Sequence, residues 1–243
     1  MKPELVIQDL GGAHSANIEA TRARIIQGAS WKRQRIVVVV PSGDAIPAKV
    51  YLSHVNLIFP PNQAVVRILA LGQEVGEAYS NAIESILAHP ELSTYEYLLT
   101  IEHDNAPPPD GVLRLCEQME AHPELAVIGG LYFTKGYGGL AQIWGDVKDP
   151  VLNFRPQPPD VAGGLVECNG TGMGFNLWRL AMFKDPKLRR PWFKTETREG
   201  VCTQDLYFAM DARKHGYRFA IDCSVRVGHY DLRGDFGLPD TMY

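Results

Sequence analysis

Residues 97–110 of the chain read YLLTIEHDNAPPPD. This stretch opens on an apolar run, YLLTI, of the kind that forms a strand buried on both faces of a sheet. The run stops abruptly at Glu102, His103 and Asp104, and three prolines follow. Two interpretations fit a buried strand with this ending: a metal and phosphate site at the end of the strand, or a polar turn closed by the prolines.

The spacing of Glu102 and Asp104 suits a shared ligand, because alternate side chains of an extended chain point to the same side. Mg²⁺ and Mn²⁺ prefer oxygen ligands and often complete their coordination with substrate phosphates. By the same alternation, His103 points away from the two acids. An acid-x-acid pair is a weak signal alone, and its place at the end of a buried-type strand favours the metal interpretation.

Apolar strands alternate with amphipathic helices along most of the chain. Such alternation predicts βαβ units, and therefore an α/β fold with a mostly parallel central sheet flanked by helices. Ligands of these sheets bind beyond the carboxyl ends of the strands, so residues 41–44 and 102–104 should share one edge. The predicted strands are residues 35–41, 65–71, 95–101, 125–132 and 217–227, and the predicted helices are residues 48–59, 72–89, 110–122 and 203–215.

Two regions depart from this alternation. Residues 134–167 are rich in Gly, Pro and aromatic side chains, which predicts a smaller irregular region with short antiparallel strands. Residues 168–183, CNGTGMGFNLWRLAMF, predict a glycine-rich turn that runs into a helix. Before the first strand, residues 1–34 predict an appendage with a polar helix over residues 16–27.

Composition narrows the class of protein. The chain has 243 residues, a formal net charge of -4 and a pI of about 6.0, which argues against a protein that coats nucleic acid. Cys116, Cys168, Cys202 and Cys223 form no CxxC pair, as expected in a reducing compartment. No apolar run approaches the roughly 20 residues of a membrane span, and no signal peptide is recognisable, so a cytoplasmic protein is predicted.

Several segments, taken in order, resemble the nucleotide-sugar glycosyltransferases of the GT-A fold, of the family-2-like Asp-x-Asp type. LLTIEHDNAPPPD resembles their motif strand, and IVVVVPSGD resembles their first nucleotide-binding strand. GQEVGEAYSNAIESIL resembles the helix that precedes the motif strand, and NGTGMGFNLWRLAMF resembles the segment that closes over the donor sugar. TQDLYFAMDARKHGYRFAIDCSVRVGHYD resembles the acceptor-side helix, the next strand and the terminal histidine. The resemblance runs from about residue 35 to residue 231.

The resemblance implies a Rossmann-like GT-A fold in one catalytic domain, residues 35–243. Within it, residues 35–133 would be the nucleotide-binding half and residues 134–231 the acceptor-side half. The tail, residues 232–243, is a candidate lid over the donor.

The resemblance also implies a cofactor, Mn²⁺ or Mg²⁺. Asp104 would bind the ion directly, and His229 would be the third protein ligand, arriving from a distant loop. Glu102 stands where the family usually has Asp, so it would contact either the metal or the ribose of the donor. A loop histidine is otherwise an ordinary exposed residue.

Other residues would contact the substrates. Asp205 would be the catalytic base that deprotonates the acceptor, with Thr203 capping the same helix; Gln204 replaces the usual Glu of this pair. The residues implied in donor binding are Pro41, Ser42, Asp44, Asn81, Glu102, His103 and Gly172. Side chains that are candidates for stacking on a sugar, or else for core packing, are Tyr137, Trp144 and Trp192. Those that are candidates for neutralising a diphosphate, or else for the solvated surface, are Lys135, Arg189, Arg190 and Arg198.

The predicted function is metal-dependent transfer of a sugar from a nucleoside-diphosphate sugar to a hydroxyl of an unknown acceptor, either a glycan or a small molecule. One alternative is a nucleotidyltransferase that makes a nucleotide sugar, although PSGDAIPAK lacks the Gly-rich basic loop that such enzymes need. Another is a catalytically silent binding module, favoured by Glu102 and Gln204. The glycines of GTGMG do not form a dinucleotide fingerprint, because neither their spacing nor a following acid matches it.

Overall fold

The computed structural model describes residues 35–60, 65–136, 138–196 and 202–231. The predicted helix over residues 16–27 and the candidate lid lie outside these ranges, as do Tyr137 and Arg198. The strands are β1 (Ile36–Ser42), β2 (Val65–Leu71), β3 (Tyr97–Ile101), β4 (Asn105–Ala106), β5 (Val127–Leu131), β6 (Ile143–Trp144), β7 (Leu165–Cys168), β8 (Gly170–Thr171), β9 (Phe175–Arg179), β10 (Phe219–Arg226) and β11 (Gly228–His229). The helices are α1 (Ala48–Val55), α2 (Val75–Ala88), α3 (Gly111–Ala121) and α4 (Gln204–Lys214), with 3-10 turns at Leu92–Thr94 and Leu180–Lys184.

The central sheet has seven strands in the order β2-β1-β3-β9-β5-β10-β7. Strands β2, β1, β3, β5 and β10 run in one direction, and β9 and β7 run against them. Every residue of β1 and of β3 is buried, as their continuous apolar sequences predict. Because β1 and β3 are parallel neighbours, their carboxyl ends open on the same edge of the sheet.

Helices cover both faces of this sheet. On one face, α2 and α4 pack over a cluster in which Trp178 contacts the rings of Phe183, Phe193, Phe208 and Phe219. On the other face, α3 packs over a second apolar cluster built from alternate residues of β1, β3 and β9. The expected α/β architecture with flanking helices is therefore confirmed.

The segment at residues 168–183 corrects the prediction of a turn followed by a helix. It forms β8, β9 and a 3-10 turn, and β9 lies antiparallel between β3 and β5. Its alternate residues serve opposite faces: Phe175 and Leu177 pack in the α3 cluster, whereas Trp178 packs among the aromatic rings. Pairing on both edges, together with burial of both faces, outweighs the helical spacing of the apolar residues in the sequence.

The predicted irregular region contains the short antiparallel strands that were expected. Strand β6 pairs with β8, and β7 pairs with β10. Helix α1 is shorter than predicted and ends at Val55, with Asn56 as its C-cap. Within the described ranges, no helix is both long and apolar enough to cross a membrane.

Candidate functional site

An open pocket of about 260 Å³ lies at the carboxyl ends of β1 and β3. The acids at the end of β3 therefore face a cleft and not only a turn. Its lining residues are Pro41, Ser42 and Gly43 after β1, Gln73 and Val75 at the start of α2, and Glu102, His103 and Asp104 after β3.

Two of the predicted donor-binding residues lie beside this pocket and do not line it. Asp44 is exposed in a turn with a φ of 92°. Asn81 is exposed on α2 and donates to the Gln73 side chain at 2.8 Å, so it reaches the pocket only through that residue. Gln73 is a lining residue that was not predicted from the sequence, although its position two residues before α2, at the edge of the sheet, marks it as a candidate.

His103 also lines the pocket, whereas strand alternation predicted that it points away from the acids. The chain turns at His103 and Asp104, directly beyond the last residue of β3, and the Asn105 amide donates to the Glu102 carbonyl at 3.1 Å. The alternation of an extended strand therefore does not extend to this residue.

The Asp104 carboxylate is the buried centre of the site. Its Oδ2 accepts a hydrogen bond from Lys135 Nζ at 2.5 Å and lies 3.8 Å from His229 Nε2. Burial raises the pKa of Asp104, but the contacts from His229 and Lys135 outweigh it and hold that pKa well below its usual range. Asp104 is therefore a carboxylate anion at neutral pH.

A short pair of strands brings His229 to this position from a distant part of the chain. Strand β11 pairs with β4 so that His229 lies opposite Asn105, and the Tyr230 amide donates to the Asp104 carbonyl at 2.6 Å. His229 Nδ1 lies 2.6 Å from the Phe133 carbonyl and donates to it. In the neutral ring, the lone pair is consequently on Nε2, the nitrogen that faces Asp104.

Helix α1 fixes the other side of β4. Ser53 Oγ donates to the Pro107 carbonyl at 2.5 Å, and His54 Nε2 donates to the Asn105 carbonyl at 2.9 Å. Val50 packs against Ala106 beneath these bonds. The turn after β3 is thus held from two directions, which orients the Asp104 side chain.

Two further acids lie close to this centre. Burial, reinforced by the negative charges of Asp104 and Asp205, raises the pKa of Glu102 to about 8. Burial also raises the pKa of Asp205, whose Oδ1 accepts from the Leu206 amide at 2.9 Å in the first turn of α4. Thr203 holds the N-cap position, but its hydroxyl bonds to the Asp205 carboxylate and makes no cap bond, contrary to the prediction.

Gly172 packs against protein and leaves no open space for a sugar on its Cβ side. A Cβ there would lie 2.1 Å from the Tyr132 hydroxyl and 2.6 Å from Gln142 Oε1. Gly174 has the same restriction, since its Cβ would lie 2.6 Å from the Tyr132 ring. The close approach of Tyr132 therefore accounts for both glycines.

The aromatic and basic candidates divide between core, loop and site. Trp192 is 1% exposed and packs edge-on against Phe183 at 5.8 Å, so it belongs to the core. Trp144 is half-buried and donates to Gln142 at 3.1 Å. The guanidinium groups of Arg189 and Arg190 lie over the rings of Tyr207 and Trp192. Of the candidates that the structure describes, Lys135 alone is seen to bond to a residue that lines the pocket, Asp104.

The described residues supply only part of the coordination that a divalent cation needs. Within the described ranges, no group of three or more His, Cys, Asp and Glu side chains is arranged to hold a metal ion. Asp104 and His229 nevertheless face each other at 3.8 Å, and supply one oxygen and one nitrogen ligand of types that Mn²⁺ accepts. Such an ion commonly completes its coordination with water and substrate phosphates.

Comparison with known proteins shows the fold. No protein-family model matches the chain, and no curated protein matches it in sequence. The structure is similar to A197 from STIV, with a TM-score of 0.57 and 17% identity over 82% of this chain and 86% of that one. It is also similar to residues 1–349 of S. aureus TarS, with a TM-score of 0.47 and 16% identity over 79% of this chain and 59% of that one. The similarity to A197 agrees with a Rossmann-like α/β fold, a seven-stranded and mostly parallel sheet with flanking helices.

Proposed function

We propose that this protein is a glycosyltransferase that moves a sugar from a nucleoside-diphosphate sugar to an acceptor hydroxyl. The observation that carries the proposal is the convergence of Asp104, Lys135 and His229 at a pocket beyond the carboxyl ends of β1 and β3. Ligands of open α/β sheets bind at this position. A buried carboxylate, an imidazole and an ammonium group suit a phosphate-bearing substrate and its cation.

In this proposal, Asp104 Oδ2 and His229 Nε2 hold Mn²⁺ or Mg²⁺. The Phe133 carbonyl keeps the lone pair of His229 on Nε2, as the second shell of a metal ligand commonly does. When bound, the ion would stabilise the charge that develops on the departing diphosphate. Pro41, Ser42 and His103 line the pocket where the nucleotide would lie.

Asp205 is the proposed base for the acceptor. Burial raises the pKa of its carboxyl group, which makes it a better proton acceptor than an exposed carboxylate. The Leu206 amide and the Thr203 hydroxyl fix one orientation of the carboxylate. Holding donor and acceptor in one cleft would supply the orientation that the reaction needs.

The test is release of nucleoside diphosphate from a panel of nucleotide sugars in the presence of Mn²⁺, with and without candidate acceptors. We expect turnover with at least one sugar, and a loss of at least about 100-fold in kcat for both Asp104→Asn and Asp205→Asn. Glu84→Gln, which alters an exposed acid on α2, is the matched control and should retain full activity. Full activity in Asp104→Asn would contradict the proposal.

A binding module without catalysis is the second candidate, and the Lys135–Asp104 ion pair favours it. That pair neutralises the acid that the transferase proposal assigns to the metal. The same panel separates the two functions. A binding module would bind nucleoside diphosphates but would release no nucleoside diphosphate from any nucleotide sugar, whichever metal ion is present.

A further inference from the structure

Lys135 occupies the cation position of the site. Its Nζ lies 2.5 Å from Asp104 Oδ2, the same oxygen that faces His229 Nε2 at 3.8 Å. The side chain of Asp104 is 12% exposed and that of Lys135 is 31% exposed, so water screens the pair only in part. An ion bound by Asp104 and His229 would therefore have to share this oxygen with an ammonium group.

The segment that carries Lys135 is built to place it there. Lys135 lies in a loop closed at its base by Thr134 and Leu140: the Thr134 amide donates to the Leu140 carbonyl and the Leu140 amide donates to Thr134 Oγ1, both at 2.9 Å. Gly136 has a φ of 93°, a conformation that other residues adopt at a cost. One residue before this loop, the Phe133 carbonyl orients His229.

The charges around Asp104 explain why a built-in cation is useful. Glu102, Asp104 and Asp205 are close enough that the negative charges of the other two raise the pKa of Glu102. The positive charge of Lys135 lowers the pKa of both Glu102 and Asp104. Without a cation, the negative charge of Asp104 would lie uncompensated beside the other two acids.

From these contacts we propose that Lys135 holds the cation position at Asp104 until a divalent ion displaces it. The ammonium group and the ion carry like charges and use the same carboxylate oxygen, so binding of one weakens binding of the other. The ion alone should consequently bind weakly. The next step rests on the proposed function: the displaced ammonium group becomes free to bind the diphosphate of the donor. The ion and the donor should therefore bind cooperatively.

The test measures binding of Mn²⁺ alone, from the loss of the electron paramagnetic resonance signal of the free ion, with no nucleotide present. Lys135→Met removes the competing charge and keeps most of the side-chain stem. Its Mn²⁺ affinity should exceed that of the wild type by roughly 10- to 100-fold. Lys135→Arg retains the charge and should bind weakly, as the wild type does.

Two variants control for charge and for the binding site. Lys148→Met removes the same charge from an exposed position in the irregular region and should leave the Mn²⁺ affinity unchanged. Asp104→Asn in the Lys135→Met background should abolish the gain, because the freed oxygen is lost. An affinity of Lys135→Met equal to that of the wild type overturns the proposal.

A second measurement uses the wild-type protein and covers the case in which Lys135→Met does not fold. The rate at which an amine reagent acetylates Lys135, followed by mass spectrometry of its peptide, should rise severalfold at saturating Mn²⁺. An unchanged rate with Mn²⁺ bound overturns the proposal. Neither measurement contains a nucleotide sugar, so failure of the transferase assay would leave both results interpretable.

Discussion

Glu102 offers a direct measure of how strongly the carboxyl groups of the site interact. Its folded-state pKa is about 8 against an ordinary value of 4.5, because of burial and of the charges on Asp104 and Asp205. The folded protein therefore keeps a proton that the unfolded chain releases. The stability that comes from this proton is complete below about pH 4.5 and is lost as the pH rises towards about 8.

Glu102→Gln imitates the protonated side chain and does not titrate. The variant should consequently be more stable than the wild type, by a margin that grows with pH. Each pH unit between the two pKa values is worth 1.36 kcal/mol, so the margin should grow by about 2.5 kcal/mol from about pH 5.5 to about pH 7.5. Asp104 and Asp205 titrate in both proteins, and the difference isolates Glu102.

The assay is urea unfolding at a series of pH values, with a chelator present to remove divalent cations. Glu84→Gln, at an exposed position on α2, should differ from the wild type by less than about 0.5 kcal/mol throughout. Parallel stability curves for Glu102→Gln and the wild type would contradict a raised pKa at Glu102. They would show that Glu102 is ionised at neutral pH in the folded protein.

Two further predictions concern the core. Gly129→Ala would place a Cβ 2.0 Å from Asn176 Oδ1 and should lower the free energy of unfolding by at least about 2 kcal/mol, measured by heat or urea. Gly43→Ala is the control, because its Cβ would have nothing within 4 Å, and it should lower that free energy by less than about 1 kcal/mol. Equal losses in the two variants would contradict the packing of β5 on β9. The half-buried Cys202 should react first with a thiol reagent, as followed by mass spectrometry. The buried cysteines should react only in denaturant, because burial shields them and raises the pKa of their thiols, that of Cys168 to about 12. Rapid native labelling of the buried cysteines would contradict this. The buried cysteines are Cys116, Cys168 and Cys223.

The elements with local signals were predictable from the sequence. Strand β2 matches its predicted bounds, and α3 and α4 each fall within one residue of theirs, because apolar periodicity and flanking Pro or Gly residues mark such elements locally. Strand β9 was not predictable in this way. Its sequence reads as a helix, and it becomes a strand because β3 and β5 offer it two edges and a buried position for Trp178.

The site was predictable only in part, for a related reason. The acids at the end of β3 and their direction towards the cleft follow from a buried strand that ends in polar residues. The distance between Asp104 and His229 depends on the pairing of β4 with β11, two-residue strands with no periodic signal. The Lys135–Asp104 contact depends on hydrogen bonds between Thr134 and Leu140, which no sequence pattern specifies.

The proposed function requires that the pocket at Asp104 bind the diphosphate of a nucleotide sugar. Isothermal titration of a panel of nucleoside diphosphates, with and without Mn²⁺, tests it most directly. We expect saturable binding of at least one nucleotide, with an affinity at least about tenfold lower in Asp104→Asn than in the wild type and unchanged in Glu84→Gln. Binding of no nucleotide in either condition, or equal binding by Asp104→Asn, would contradict it.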